Sequence, residues 1–264
     1  MRFNDLDMNN WKNLGINVDS LQVYESRDRD GKHKNIYHGN FIPQIPNQLI
    51  RRYTKENELV IEPFMGSGTT LFECESLNRK YIGIDINSKI IEYVRSQMQN
   101  SDKNMFEILE FDSSDGTIFK DKISASLQNL DEDYAKFAIF HPPYMDIVKF
   151  TNLKQDLSQI SNLKDFLNIF IKVVENTLLF LEKNRYFAVV IGDVYKNSEV
   201  LPLGFYVMHH IKLNFKVKLK GIIVKNIEGN RGKLKTGGIW TYRALKSDYY
   251  IFKHEYILVF KKEF

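Results

Sequence analysis

From residue 59 to residue 213 short apolar runs alternate with longer stretches of helical apolar spacing, and nothing else in the chain constrains its fold as much. Runs rich in Val, Ile, Phe and Tyr read as strands, and apolar residues recurring at i, i+3 and i+4 read as helices. Strands are expected at 59–62, 81–85, 106–109, 137–140 and 186–191, with helices at 69–77, 88–99, 163–181 and 203–213. Strands joined in this way close as a parallel sheet with right-handed crossovers, and ligands gather at the carboxyl ends of its strands. The polar stretch after Asp112 reads as a loop or a helix. Segments 215–224 and 249–260 are two further strands with no helical period between them. The expected fold is therefore α/β, with a mostly parallel sheet ending in an antiparallel pair.

The length of 264 residues suits a single such domain. No run of about eighteen apolar residues occurs and the first residues lack a secretory h-region, so a cytoplasmic protein without membrane contact is expected. The lone cysteine, Cys74, excludes an intrachain disulfide and a cysteine-cluster zinc site. His209 and His210 are neighbours on an expected helix and cannot share a face, so no metal is expected. Charge is uneven. The net +4 conceals a segment from Ile211 onward with thirteen Lys and Arg against four Asp and Glu, a balance suited to a polyanionic partner.

Two turns at strand ends carry the chemistry. Phe64-Met65-Gly66-Ser67-Gly68-Thr69-Thr70 follows the first strand, and about twenty residues later the second strand closes on Asp85. Glycines let a ligand approach the backbone, and the free N–H groups at the start of the next helix favour an anion. A Walker loop would need Lys after the second glycine, and a dinucleotide loop a third glycine three residues further on; both are absent. His141-Pro142-Pro143-Tyr144 follows the fourth strand and offers a rigid carbonyl and a flat aromatic face.

The stretch from His38 to Asp85 is similar to the segment of amino-directed DNA methyltransferases that runs from a proline-containing lead-in through an Asp-Pro-Phe-x-Gly-Ser-Gly-Thr turn to an acidic strand end. Glu62 stands where the family usually has Asp. His141-Pro142-Pro143-Tyr144 likewise resembles the Asp/Asn/Ser-Pro-Pro-aromatic motif of enzymes that methylate exocyclic amines. The resemblance implies a Rossmann-like methyltransferase domain over 38–264 with S-adenosylmethionine as cofactor, and the polar, turn-rich residues 1–37 before it read as an arm, partly mobile. Gly66, Gly68, Phe64 and Thr69 would cradle its amino-acid end, with Glu62 at the ammonium. Asp85 would take the ribose hydroxyls and Asp112 the adenine, while Phe41 and Pro43 would close the pocket.

In the catalytic turn the Pro142 carbonyl and the His141 ring would accept the two N–H bonds of the target amine. Pro143 would hold the turn rigid and Tyr144 would stack on a base extruded from the duplex. Only the neutral imidazole can accept, so activity is expected to fall with pH through the His141 pKa. Because His141 replaces the usual first residue, adenine N6 and cytosine N4 both remain open, adenine leading only as the commoner modification.

No large recognition domain separates the motifs. Contact with double-stranded DNA is therefore assigned to a basic recognition loop at 225–248, where Arg231, Lys233, Lys235 and Arg243 would hold phosphates and Trp240 and Tyr242 would stack or wedge. A cognate restriction enzyme is a candidate partner, with the chain itself a monomer or homodimer. The alternatives are a transfer-RNA guanine N2 methyltransferase and a DNA-binding module without activity.

Overall fold

The computed structural model describes residues 2–34, 36–37, 39–227 and 237–264. In chain order its principal elements are β1 (Leu21–Gln22), α1 (Gln44–Tyr53), β2 (Leu59–Glu62), α2 (Thr69–Ser76), β3 (Lys80–Asp85), α3 (Ser88–Gln97), β4 (Phe106–Glu110) and α4 (Gly116–Asn129). There follow β5 (Ala135–Phe140), α5 (Leu163–Leu179), β6 (Leu181–Ile191), β7 (Val194–Lys196), β8 (Glu199–Leu201), α6 (Leu203–Asn214), β9 (Val217–Asn226), α7 (Gly237–Lys246) and β10 (His254–Lys262). Described strands form an eight-stranded sheet in the order β1-β9-β10-β6-β5-β2-β3-β4, while β7 and β8 make a separate hairpin.

The five strands β4, β3, β2, β5 and β6 run parallel, and β10 and β9 add an antiparallel end. Parallel strands covered on both faces read as continuous apolar runs. β2 obeys this, being buried at all four positions. In β5 the period of two divides the residues between the layers. Phe137 and Ile139 pack with α1, α2 and α3 residues such as Ile50, Leu71 and Ile91. Ala138 and Phe140 pack on the other face with Phe119, Phe166 and Phe170 from α4 and α5.

The chain winds outward from β2 through β3 to β4, then crosses back to lay β5 on the other side of β2. The carboxyl ends of β2, β3 and β5, which carry the two chemical turns, thereby open on one crevice at the reversal of winding.

Several elements settle or differ from the sequence expectation. The polar stretch after Asp112 is α4, whose first turn is capped by Asp115, its carboxylate accepting the Thr117 and Ile118 N–H groups at 3.0 Å. β6 begins five residues early, at Leu181, directly behind α5. The proposed arm lies on the sheet: Phe3 packs 4.8 Å from Tyr186, Asp5 takes both oxygens to Arg79 at 3.0 Å, and β1 extends the sheet beside β9. Isolated polar-flanked residues make these contacts, so no period marked them.

The stretch 225–248 is not one loop. Lys225 and Asn226 end β9 and α7 occupies 237–246, while Arg231, Lys233 and Lys235 lie outside the described residues. Among the described residues no helix is long and apolar enough to cross a membrane.

Gly68 begins α2 at φ +80°, and a Cβ there would lie 3.0 Å from Cγ1 of Val94 on α3. Both the left-handed backbone and the contact oppose a side chain. Gly68→Ala is expected to lower stability by about 1–3 kcal/mol in chemical denaturation.

Candidate active site

A cavity of about 610 Å³ occupies the crevice, within the range of small-molecule sites. One half is built from the ends of β2, β3 and β4. Asp85 joins two of these: Oδ2 accepts the Gly66 N–H at 2.8 Å and Oδ1 the Asn87 N–H at 2.9 Å. Burial nevertheless pushes its pKa up to about 6. Glu62, 1% exposed, accepts from the Thr70 hydroxyl at 2.8 Å and the Tyr81 hydroxyl at 2.5 Å. Burial outweighs both hydrogen bonds and raises its pKa to about 8.

Phe64, Gly66, Thr69 and Asp112 also line the cavity, Asp112 holding the Ser114 N–H and hydroxyl on Oδ1. Gly68 and Pro43 do not line it. Gly68 shapes the turn from behind, against Val94, and Pro43 is buried at the start of α1. A glycine at a helix start and a proline at a helix cap both act through the backbone.

The second half is the turn His141-Pro142-Pro143-Tyr144, all four residues lining the cavity. The Tyr144 ring lies on the backbone of Gly192, where a Cβ would stand 2.9 Å from Cε2. Its hydroxyl donates to Glu255 Oε2 at 3.0 Å, and Glu255 Oε1 is bound by Lys225 Nζ at 3.0 Å. His141 Nε2 is 3.4 Å from the same hydroxyl, and Phe41 covers the imidazole at a centroid distance of 4.7 Å. Phe41 therefore stands at the histidine. Burial lowers the His141 pKa to about 4, with Glu255 acting upward and Lys225 downward. The loss of acceptor capacity expected across the ordinary histidine range moves to about pH 4, because the enclosed ring disfavours its charge.

Sequence reasoning missed four contributors. Tyr37 stacks on Phe150 at 5.3 Å and lies over Gly66, while Phe150 packs on Gly39; burial raises the Tyr37 pKa. Their only signal was an aromatic in each of two polar stretches. Glu255 had no motif, and Lys225 was assigned to an exposed loop, whereas it is 5% exposed and lines the cavity. Asp193 faces elsewhere, accepting from the Gly204 N–H and the Tyr256 hydroxyl.

Of the expected nucleic-acid contacts, Trp240, Tyr242 and Arg243 stand on α7, with Arg243 over the Trp240 ring at 5.3 Å and Tyr242 63% exposed. Among the described residues no cluster of His, Cys, Asp and Glu could hold a metal ion.

Sheet order and crossover together define a Rossmann-like α/β fold. TrmN of Thermus thermophilus superposes with a TM-score of 0.54 over 85% of this chain and 50% of its own, at 14% identity. More narrowly, residues 8–96 match the N6/N4 family described as DNA methylase. The type II methyltransferase M.MjaII of Methanocaldococcus jannaschii is 46% identical over 50 residues, 19% of this chain and 9% of its own. M.HpaI of Haemophilus parainfluenzae, also a type II methyltransferase, is 40% identical over 63 residues, 24% of this chain and 20% of its own. The chain thus spans a fifth or less of these relatives.

Glu62 also sets a pH dependence of stability. With a folded pKa near 8 against an ordinary 4.5, the folded chain binds more protons than the unfolded chain between those values, so stability declines as pH rises through that window. Asp85 contributes the same sign only up to about pH 6, and His141 the opposite sign only between about 4 and 6.5. Between pH 6.5 and 8 Glu62 acts apart from these two. Urea titrations should show wild-type stability falling across that interval and a clearly flatter profile for Glu62→Gln.

Proposed function

We propose that this chain transfers a methyl group from S-adenosylmethionine to the exocyclic amine of a base flipped out of double-stranded DNA, with adenine N6 the first candidate and cytosine N4 the second. The observation that carries this reading is the shared cavity: the glycine turn with Glu62 and Asp85 opens into the same chamber as His141-Pro142-Pro143-Tyr144.

The residues suit the cofactor. The Gly66 turn and the first turn of α2 offer backbone N–H groups to a carboxylate, Glu62 a buried carboxyl to an ammonium, and Asp85 the remaining lone pairs of its carboxylate to ribose hydroxyls. Phe111 and Asp112 lie where an adenine ring could be covered and its amino group received. When bound, the cofactor supplies a methyl group activated on a sulfonium.

The chain's own part is to make a poor nucleophile attack. The amine lone pair is delocalised into the base until both N–H bonds are drawn out of conjugation. The neutral His141 ring accepts one and the Pro142 carbonyl the other, so positive charge developing on nitrogen meets two fixed acceptors. Tyr144 offers its face to the flipped base, offsetting part of the unstacking cost of about a few kcal/mol. Phe150 and Tyr37 exclude water from the cofactor side.

Purified protein incubated with methyl-labelled S-adenosylmethionine and unmethylated DNA should yield N6-methyladenine or N4-methylcytosine by mass spectrometry of the nucleosides. Label confined to transfer RNA, or absent throughout, would sink the DNA assignment. Activity should be level from about pH 5.5 to 8 with respect to His141 and fall toward about pH 4. Separately, S-adenosylhomocysteine should raise the melting temperature of the wild type, and Asp85→Ala should abolish that shift.

A further inference from the structure

His141 poses a chemical problem that the cavity itself resolves. A carboxylate or amide oxygen accepts a hydrogen bond in any state, whereas a neutral imidazole accepts only through the nitrogen that lacks the proton. Which nitrogen that is depends on what the other one meets. No group among the described residues pairs with His141 Nδ1, while Nε2 meets the Tyr144 hydroxyl at 3.4 Å.

The direction of that contact is set from further away. Lys225 on β9 and Glu255 on β10 are opposite residues of the antiparallel ladder, with side chains 6% and 9% exposed. The ammonium occupies Oε1, leaving Oε2 for Tyr144 at 3.0 Å. A carboxylate only accepts, so the single Tyr144 proton is committed to Glu255. The phenolic oxygen then offers His141 lone pairs alone, and the imidazole must present an N–H to it.

We propose that Glu255 is a positioning residue that, through the Tyr144 hydroxyl, holds His141 as the Nε2–H tautomer and so leaves Nδ1 as a bare acceptor for the target amine. The assignment of the amine as the partner of Nδ1 rests on the methyl-transfer reading above; the tautomer itself does not. Among the described residues, Phe41 and Tyr144 meet the ring, and the charges of Glu255 and Lys225 act on it. With its pKa depressed to about 4, the ring stays neutral through the physiological range, which makes the tautomer the deciding variable.

Exchanging Glu255 for Gln reverses the logic. Lys225 would claim the amide oxygen, and the amide NH₂ would face the phenolic oxygen as a donor. The Tyr144 proton would then turn toward His141 Nε2, favouring the Nδ1–H tautomer and presenting a donor to an amine that needs an acceptor.

The test is ¹⁵N NMR of histidine-labelled protein without nucleic acid, with His141 assigned by its loss in His141→Gln. Wild type is expected to carry the proton on Nε2 from pH 5.5 to 8. Glu255→Gln should move it to Nδ1, and Tyr144→Phe, which removes the relay without disturbing the ion pair, should give a mixture. The thermal shift from S-adenosylhomocysteine should persist in both variants, while methyl transfer by Glu255→Gln drops about 10²-fold or more. A proton on Nδ1 in wild type, or a tautomer unchanged in both variants, overturns the proposal. The expected tautomers without methyl transfer to any nucleic acid would support the positioning role and remove the proposed reaction instead.

Discussion

The hydrogen bond from the Gly66 N–H to Asp85 Oδ2 ties the end of β3 to the turn leaving β2, and the site is organised around it. It fixes the glycine turn against a carboxylate whose other oxygen is held by the Asn87 N–H. Two backbone donors thus orient a side chain that burial would otherwise leave mobile or protonated. The return of the chain from β4 to β5 then sets the second turn across β2 from the first. The distance between the two turns is a property of strand spacing, which makes it insensitive to the loops around them.

Enclosure differentiates the ionisable groups within this frame. Glu62 and Asp85 are pushed upward and His141 downward by the same cause, removal from water, with neighbouring groups acting as corrections. The consequence is a chamber containing a neutral imidazole and two carboxyls that gain most from a cationic or hydroxylic partner. Glu255 belongs to a different case: its buried charge is matched across the ladder by Lys225. A matched pair of this kind adds little to stability, but truncating either partner leaves the other uncompensated, which suits it to fixing geometry.

The antiparallel end of the sheet therefore does more than complete the fold. β10 carries Glu255 to the Tyr144 hydroxyl, β9 carries Lys225 to Glu255, and β1 fastens the N-terminal segment along β9. The same segment brings Tyr37 against Phe150 over the glycine turn. Residues before and after both motifs in the sequence thus line the same cavity as the two turns.

What the sequence determined by itself was local. Apolar period announced the strands and helices from 59 to 213, and glycine, proline and acid at fixed offsets announced the two turns, because these depend on backbone conformation within a few residues. Even so, the stretch of α4 stayed open between loop and helix, and the β7–β8 hairpin and α7 escaped it, their apolar spacing being too short or too diluted by polar residues. Tertiary structure decided the rest. Lys225 went from loop to cavity wall, and Glu255, 111 residues from Tyr144, became its partner. Such roles arise from strand order and burial, which bring together groups whose separation along the chain carries no periodic or compositional trace.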